Sequence, residues 1–409
     1  MPRSRIVPRL PSFVVFVVLL GSVLGGMHYY AWARLVARPG WGEPWESLGA
    51  RAFVAFALLT PCGFVLGRVS KTPLGRSLVL VAYGWFGVLT MLLFGLIFFE
   101  PVRLVPLAGW GEPSRSRDLA MALVGLVVVG GVHGVASARG AVAVKRVRTE
   151  LSRLCPSLAG FRVVQLSDVH IGPTLRREFM ARVVETVNAL EPDLVVITGD
   201  LVDGSVAALR EHTAPLADLR AKHGVFAVTG NHEYYSGADA WIAELTRLGV
   251  RTLRNERVRI GGGERGSGGG DRSGSASSDG GDSGGDGGFD LAGVDDHTAF
   301  GPGHGPDLAR ALEGRDERRE CVLLAHQPRQ AKEAAARGVG LVLTGHTHGG
   351  QIFPFNLFVR LQQPFVAGRY RLGATQIYVS RGTGYWGPPL RVLAPPEITC
   401  HELFPRQAR

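Results

Sequence analysis

Apolar positions fall into two regimes along this chain. Up to about residue 140 they form long stretches bounded by charge: Leu10–Ala33, Ala52–Gly67, Ser77–Phe99 and Leu119–Ala138. A helix that crosses a bilayer needs about 20 such residues, so four spans are expected, the short second one lengthened by snorkelling of Arg51 and Arg68. The first stretch runs into Met27-His28-Tyr29-Tyr30, which lacks the small residues of a cleavage site, and so reads as a retained span rather than a signal peptide.

Beyond residue 160 the apolar runs shrink to four or five residues: Val163–Ser167, Leu194–Thr198, Val225–Thr229, Cys321–Ala325 and Leu341–Thr344. Short unbroken runs of Val, Leu and Ile are the pattern of strands buried on both faces. Between them, Glu178–Leu190 gathers Phe179, Val183, Val184, Val187 and Leu190 on one helical side, and Ala238–Leu248 does the same with Trp241, Ile242, Leu245 and Leu248. Strands alternating with helices of this length predict an α/β domain. Residues 261–288 break the pattern: 14 of 28 are glycine and Ala276 is the sole aliphatic side chain. Such a segment buries too little apolar surface to offset its ordering entropy and is expected to be a disordered hairpin tip between strands at Arg257–Ile260 and Phe289–Ala292. The expected organisation is a membrane region over 1–140, a juxtamembrane linker over 141–160, and an α/β domain over 161–409 carrying the insertion 261–288.

The membrane region contains a repeat. Arg34-Leu35-Val36 with Gly40-Trp41-Gly42-Glu43-Pro44 recurs 69 residues later as Arg103-Leu104-Val105 with Gly109-Trp110-Gly111-Glu112-Pro113. A duplicated helical hairpin follows, read either as an anchor with Trp41 and Trp110 in the interfacial belt or as a symmetric pocket of the kind parallel repeats form in transporters. The expected spans contain no acidic residue, which argues against a proton-coupled pump.

Charge changes this picture in two ways. The formal excess of +10 lies wholly in residues 1–150, with 16 basic against 6 acidic side chains, leaving 29 against 29 in the remainder. The sequence pI near 9.9 is therefore no nucleic-acid footprint, and no nucleic-acid partner is expected. Within the membrane region, Arg3, Arg5 and Arg9, then Arg68, Lys71 and Arg76, then Arg139, Lys145, Arg146 and Arg148 mark one side. The positive-inside rule makes this a multi-pass cell-membrane protein with a cytoplasmic C-terminal domain. Cys62, Cys155, Cys321 and Cys400 are too scattered for a disulfide framework and read as small core residues.

The candidate chemistry sits where the five short runs end, the position at which open α/β sheets carry their sites. Asp168 and His170 follow the first run, Asp200 the second, Asn231 and His232 the third, His326 the fourth, and His346 and His348 the fifth. Mixed nitrogen and oxygen donors without thiolate suit manganese, iron or zinc better than calcium or a structural zinc. His212, His223, His297, His304 and His401 read as surface or turn residues, and Asp295 and Asp296 as turn formers.

With SDVH at 167–170, GDLVDG at 199–204, GNHE at 230–233, His326 in LLAHQP and GHTHGGQ at 345–351, residues 160–403 resemble the calcineurin-like metallophosphoesterases, and the whole chain resembles their membrane-associated branch. The resemblance implies two sheets flanked by helices and two divalent ions. Asp168, His170, Asp200 and His348 would hold one ion; Asp200, Asn231, His326 and His346 would hold the other. It also implies hydrolysis of phosphomonoesters or phosphodiesters, with His232 protonating the leaving group and Asp203 orienting His232, although Asp203 also reads as a turn cap. Glu233, Thr347 and Gln351 read equally as loop scaffold or substrate contact. Two aromatic segments, Ile352–Phe358 and Tyr385–Trp386, read as packing over the sheet or as an entrance for a phospholipid substrate. The competing functions are a membrane sensor that binds a phosphorylated ligand without turnover, and a transporter with an accessory hydrolase.

Overall fold

The computed structural model describes residues 10–69, 72–105, 110–261 and 287–406. Lys71 and the body of the glycine-rich insertion, 262–286, lie outside the described residues. The chain forms two compact units, one of Met1–Arg139 with Gly387–Val392, the other of Gly140–Trp386 with Leu393–Arg409.

The first unit is built from α1 (Leu10–Trp32), α2 (Trp45–Val69), α3 (Pro73–Arg103) and α4 (Ser114–Arg139). Three of these are long and apolar enough to cross a membrane: Trp45–Leu66 of α2, α3 and α4. Among the described residues, three candidate spans thus replace the expected four. Thr72 caps α3 by accepting from the Gly75 amide at 3.1 Å, with Pro73 at the first helical position. Helices α2 and α3 approach closely because Gly63 faces Ala82, where a Cβ would lie 2.2 Å from the alanine's own. Trp85 donates to His28 at 2.9 Å and stacks on Phe56 at 4.1 Å. The candidate spans run past the apolar stretches and take in acids that those stretches lack: Glu46 in α2, Asp118 in α4, and Glu100 in α3, which pairs with Arg34 at 3.1 Å.

The second unit holds two six-stranded sheets. Its strands are β1 (Ala143–Leu151), β2 (Phe161–Leu166), β3 (Leu194–Thr198), β4 (Val225–Val228), β5 (Val250–Thr252), β6 (Glu256–Gly261), β7 (Gly288–Gly293), β8 (Cys321–Leu324), β9 (Leu341–Thr344), β10 (Gly368–Leu372), β11 (Thr375–Val379) and β12 (Glu397–Pro405). Its helices are α5 (Arg177–Ala189), α6 (Val206–Thr213), α7 (Asn231–Ser236), α8 (Ala238–Arg247), α9 (Leu308–Ala311), α10 (Ala331–Ala336) and α11 (Phe355–Gln362). One sheet runs β1-β12-β2-β3-β4-β5 and the other β10-β11-β9-β8-β7-β6. This is the mixed α/β architecture that the apolar pattern predicts, with the two sheets that the family resemblance implies. β1 falls inside the stretch expected to be a linker and pairs in parallel with β12 from Ala143↔Glu397 to Leu151↔Pro405.

The core lies between the sheets, where Val163, Val196 and Phe226 of the first meet Phe289, Leu291, Val322 and Leu343 of the second. Burying each such side chain contributes about 1.5–3 kcal/mol, and five consecutive buried residues in β3 account for its unbroken apolar run. β6 and β7 form the expected antiparallel hairpin, closing at Gly261↔Gly288 on either side of the insertion. One expectation about polar residues fails: His401 is fully buried in the middle of β12. Asp295 and Asp296 are also fully buried, but Asp296 forms the expected turn, its carbonyl accepting from the Ala299 amide at 3.1 Å and its Oδ1 from the Thr298 amide at 2.8 Å. Of the cysteines, Cys321 and Cys400 are buried, Cys155 is half-buried and Cys62 is exposed.

Candidate metal centre

Strands β2, β3 and β4 are adjacent and parallel, as are β8 and β9, so the chain leaves all five in one sense within each sheet. The residues after them converge. Ligand atoms of Asp168, His170 and His348, of His170, Asp200 and His232, and of Asp200, His326 and His346 form three groups whose members lie within 4.8 Å of one another. His170 and Asp200 each belong to two groups, which fuses the three into one cluster. Asn231 joins through its Oδ1, 3.1 Å from His326 Nε2. All nine candidate residues are thus brought together, Asp203 through its contacts with the two histidines below. Distance alone does not separate His232 from the ligands.

The hydrogen-bonding pattern is that of a cation site. His326 Nδ1 lies 2.8 Å from the Thr198 carbonyl, which only accepts, so this nitrogen carries the proton. Its Nε2 then faces Asn231 Oδ1, Asp200 Oδ2 at 3.2 Å and His346 Nδ1 at 3.2 Å. A lone pair among acceptors is repulsive unless a proton or a metal ion stands between them. His170 repeats the arrangement: its Nδ1 donates to Asp203 Oδ1 at 2.9 Å, which directs Nε2 at His348 Nε2, 3.0 Å away. The donor set therefore fits divalent metal.

Without metal, protons take up this demand. Burial opposes charge on His326, yet the carboxylates of Asp200 and Asp168 outweigh it and raise its pKa well above the ordinary value. Burial and the charge on His326 push His346 the other way, down to about 4. Asp200 is depressed well below the usual carboxylate range because His326, His232 and His170 overcome its burial, whereas burial raises Asp168.

The local backbone is unusual for residues with side chains. Asp168, His170, Asp200, His346 and His348 all have positive φ, between 50° and 70°. Left-handed conformations at non-glycine residues cost of order 1–3 kcal/mol each and persist where the surroundings over-determine them, as at binding sites. Two glycines explain how the carboxylates fit. A Cβ at Gly345 would lie 1.9 Å from Ser167 Oγ and 2.1 Å from Asp168 Oδ2, and one at Gly230 would lie 2.2 Å from Asp200 Oδ1.

Comparison with known proteins is decisive here. Residues 161–350 match the family model for calcineurin-like phosphoesterases. A "Transmembrane protein with metallophosphoesterase domain" from Bos taurus is 38% identical over 416 residues, covering 96% of this chain and 88% of that protein. Its namesake in Danio rerio is 34% identical, covering 95% and 87%, and an uncharacterized metallophosphoesterase of Campylobacter jejuni is 34% identical, covering 96% and 98%. The chain belongs to the calcineurin-like phosphoesterase family. Its members are metal-dependent, which agrees with the lone-pair geometry.

Around this phosphoesterase cluster the supporting residues are well defined. Asp203 Oδ1 accepts from both His170 Nδ1 and His232 Nδ1, the latter at 2.6 Å, and these imidazoles outweigh burial to hold its carboxyl at about 2. Burial disfavours a charged His232, but the hydrogen bond to Asp203 and the charge of Asp200 prevail and raise it to about 9. Glu233 is scaffold: its buried carboxylate accepts from the amides of Gly230, Asp200 and Leu201 at 2.6, 2.9 and 2.8 Å. Burial and Asp200 nevertheless lift it to about 7. Thr347 Oγ1 contacts the Val366 carbonyl, and Gln351 clamps the Trp386 backbone by donating to its carbonyl at 2.8 Å and accepting from its amide at 3.0 Å.

Asp296 is the residue that sequence reading missed. It accepts from Gln327 Nε2 at 3.1 Å, and its charge favours protonation of His326 and His346. The signal was present in the apolar run Phe289–Val294 ending in two carboxylates, the same texture as the ligand-bearing strands.

Proposed function

We propose that this chain is a membrane-anchored, dinuclear metal-dependent phosphoesterase that hydrolyses phosphomonoesters or phosphodiesters. The observation that carries this reading is the convergence of seven buried or half-buried Asp and His side chains, among which lone pairs face one another as they do around a cation. Asp168, His170, Asp200 and His348 would hold one ion and Asp200, Asn231, His326 and His346 the other, drawn from manganese, iron or zinc. Such ions supply Lewis-acid polarisation of a phosphoryl oxygen and a nucleophilic water near neutral pH.

The chain's own residues do the rest. Asp203 holds His232 by Nδ1, so that Nε2 faces the cluster, 4.0 Å from Asp200 Oδ2. As water oxygen bonds to phosphorus and the ester P–O bond breaks, His232 Nε2 gives its proton to the departing oxygen. General acid help of this kind contributes about 10²–10⁴ in rate.

The orientation proposed is cytoplasmic. Arg68, Lys71 and Arg76 between α2 and α3, and Arg139, Lys145, Arg146 and Arg148 after α4, support it through the positive-inside rule, with α2 counted as a span. The proposed domains are the membrane region 1–140, a connection over 141–160 and the phosphoesterase domain 161–409.

The test is hydrolysis of bis(p-nitrophenyl) phosphate by the purified full chain after metal loading. Activity that disappears with chelator and in Asp200→Asn is expected. Metal binding without turnover would instead identify a phosphoester sensor and overturn the proposal.

A further inference from the structure

Helix α11 follows the His346–His348 turn directly and is built the wrong way round for a water-exposed surface. Its inward contact is made by the polar residue Asn356, whose backbone packs on Gly350 so closely that a Cβ there would lie 2.4 Å away. Apart from the half-buried Val359, its apolar side chains point outward. Leu357 is 50% exposed and Leu361 85%, while Phe355 and Phe358, stacked at 6.4 Å, are nearly half exposed, as is Phe353 before them. Amphipathic helices on soluble domains turn their apolar stripe to the core, so an outward stripe calls for an apolar exterior.

The stripe has a companion at the reaction centre. Trp386 is 52% exposed, lies edge-on to His232 at 5.8 Å and 74°, and is pinned by Gln351. The residue after it begins Gly387–Val392, a segment that belongs to the helical unit; there Leu390 and Val392 fill the space beside Gly87 and Gly134, and the Arg391 amide donates to the Gly134 carbonyl at 2.9 Å. The chain beside His232 is therefore covalently continuous with a segment packed among helices fit to cross a membrane. Trp and Phe with an exposed arginine, here Arg360, form the composition that settles in the interfacial layer of a bilayer.

We propose that α11 and Trp386 form a membrane-docking rim that lies in the bilayer interface and admits phosphoesters whose apolar part stays in the membrane. The admission of substrate rests on the phosphoesterase reading; the docking does not. A phospholipid-like ester would keep its chains against Leu357 and Leu361 while its phosphate reaches His232.

The test uses the full chain in nanodiscs of phosphatidylcholine and phosphatidylglycerol, with Cys62→Ser and Cys155→Ser removing the accessible thiols. Nitroxide labels are placed at Leu357→Cys, at Leu361→Cys and, as a water-exposed reference, at Arg318→Cys, whose native side chain is 90% exposed. Relaxation by oxygen should exceed relaxation by a water-soluble nickel chelate at the two α11 sites and fall below it at 318. Labels on α11 as accessible to nickel as the reference overturn docking, as does dipolar broadening between labels, which would put a second copy on this face.

Turnover provides the second arm. In the double variant Leu357→Asp/Leu361→Asp, hydrolysis of a p-nitrophenyl phosphatidyl ester in the nanodisc should fall by about tenfold or more. Soluble bis(p-nitrophenyl) phosphate should be hydrolysed within about twofold of the parent rate. Equal losses on both esters overturn the admission of substrate from the membrane. If the parent protein hydrolyses neither ester, the phosphoesterase reading fails with it, and the labels still decide the docking.

Discussion

Replacing Glu233 by Gln separates a scaffold from a substrate contact, because only a scaffold affects the protein without substrate. One carboxylate oxygen of Glu233 accepts from Gly230 and Asp200, and the other from Leu201. Glutamine keeps one acceptor and sets an amide donor against at least one backbone N–H at a position only 2% exposed. A buried donor left unsatisfied costs about 1–3 kcal/mol. Two considerations pull in opposite directions: the surviving bonds lose their charge assistance, but the carboxyl already sits at about 7, so Gln escapes part of the penalty of burying a charge. A net loss of about 2 kcal/mol follows, which for a unit of this size lowers Tm by roughly 4–8 °C. The assay is thermal unfolding of the purified full chain with chelator present, so that metal binding does not enter. A second measurement should agree: Asp200 and Gly230 hang from the same carboxylate, so metal content after loading should also fall. An unchanged Tm and full metal content, with a raised KM alone, would refute the scaffold assignment and return Glu233 to the substrate.

Three further outcomes are expected. His401 donates through Nε2 to Gln165 Oε1 at 3.1 Å, since the Gln165 amide is spent on Thr198 and Thr344, and its buried Nδ1 has no partner. Burial, helped by Lys145, therefore lowers it to about 3. The folded state then binds fewer protons than the unfolded state between that value and the ordinary histidine pKa near 6.5. Stability drains away as pH falls through this window, by roughly 2 kcal/mol from pH 7 to 5; His401→Gln should show a Tm drop over that range smaller by a few degrees, and an equal drop would contradict the argument. Gly345→Ala should lose metal and activity together, because the new methyl collides with Ser167 and Asp168; metal content measured after loading is the check. Replacing residues 262–287 with Asn-Gly should leave Tm and metal content unchanged, because Gly261 and Gly288 already pair and that dipeptide closes a two-residue hairpin.

The sequence was legible where a period or a run carried the information. The five apolar runs ended within one residue of the observed strand ends, because a strand buried on both faces has no other pattern to show. The misread residues are polar ones whose burial depends on distant partners. His401 lies on a long strand whose alternation is hidden by burial on both faces, and only the pairing of β12 with both β1 and β2 shows it to be central. Asp295 resembles a turn residue until Arg254, 41 positions earlier, closes on it with two hydrogen bonds at 3.0 and 2.8 Å. Local sequence cannot carry a partner that far away.

The same limit applies to α11, where it changes a conclusion instead of a detail. Periodicity alone separates Asn356 and Arg360 from Phe355, Leu357, Phe358 and Leu361, and the ordinary rule would then turn the apolar side inward. Which side is inward depends on Gly350, a left-handed residue at φ 85° that leaves no room for a side chain and seats the Asn356 backbone instead. That glycine belongs to the same GHTHGGQ block that supplies His346 and His348. The turn that presents the imidazoles therefore also sets the roll of the helix after it, so a substitution at Gly350 should disturb the metal cluster and the exposed stripe together. In a soluble enzyme an outward stripe would promote aggregation and be selected against. Beside a bilayer the same roll is stable, and for that reason the orientation of α11 speaks for the membrane more directly than the composition of the helix does.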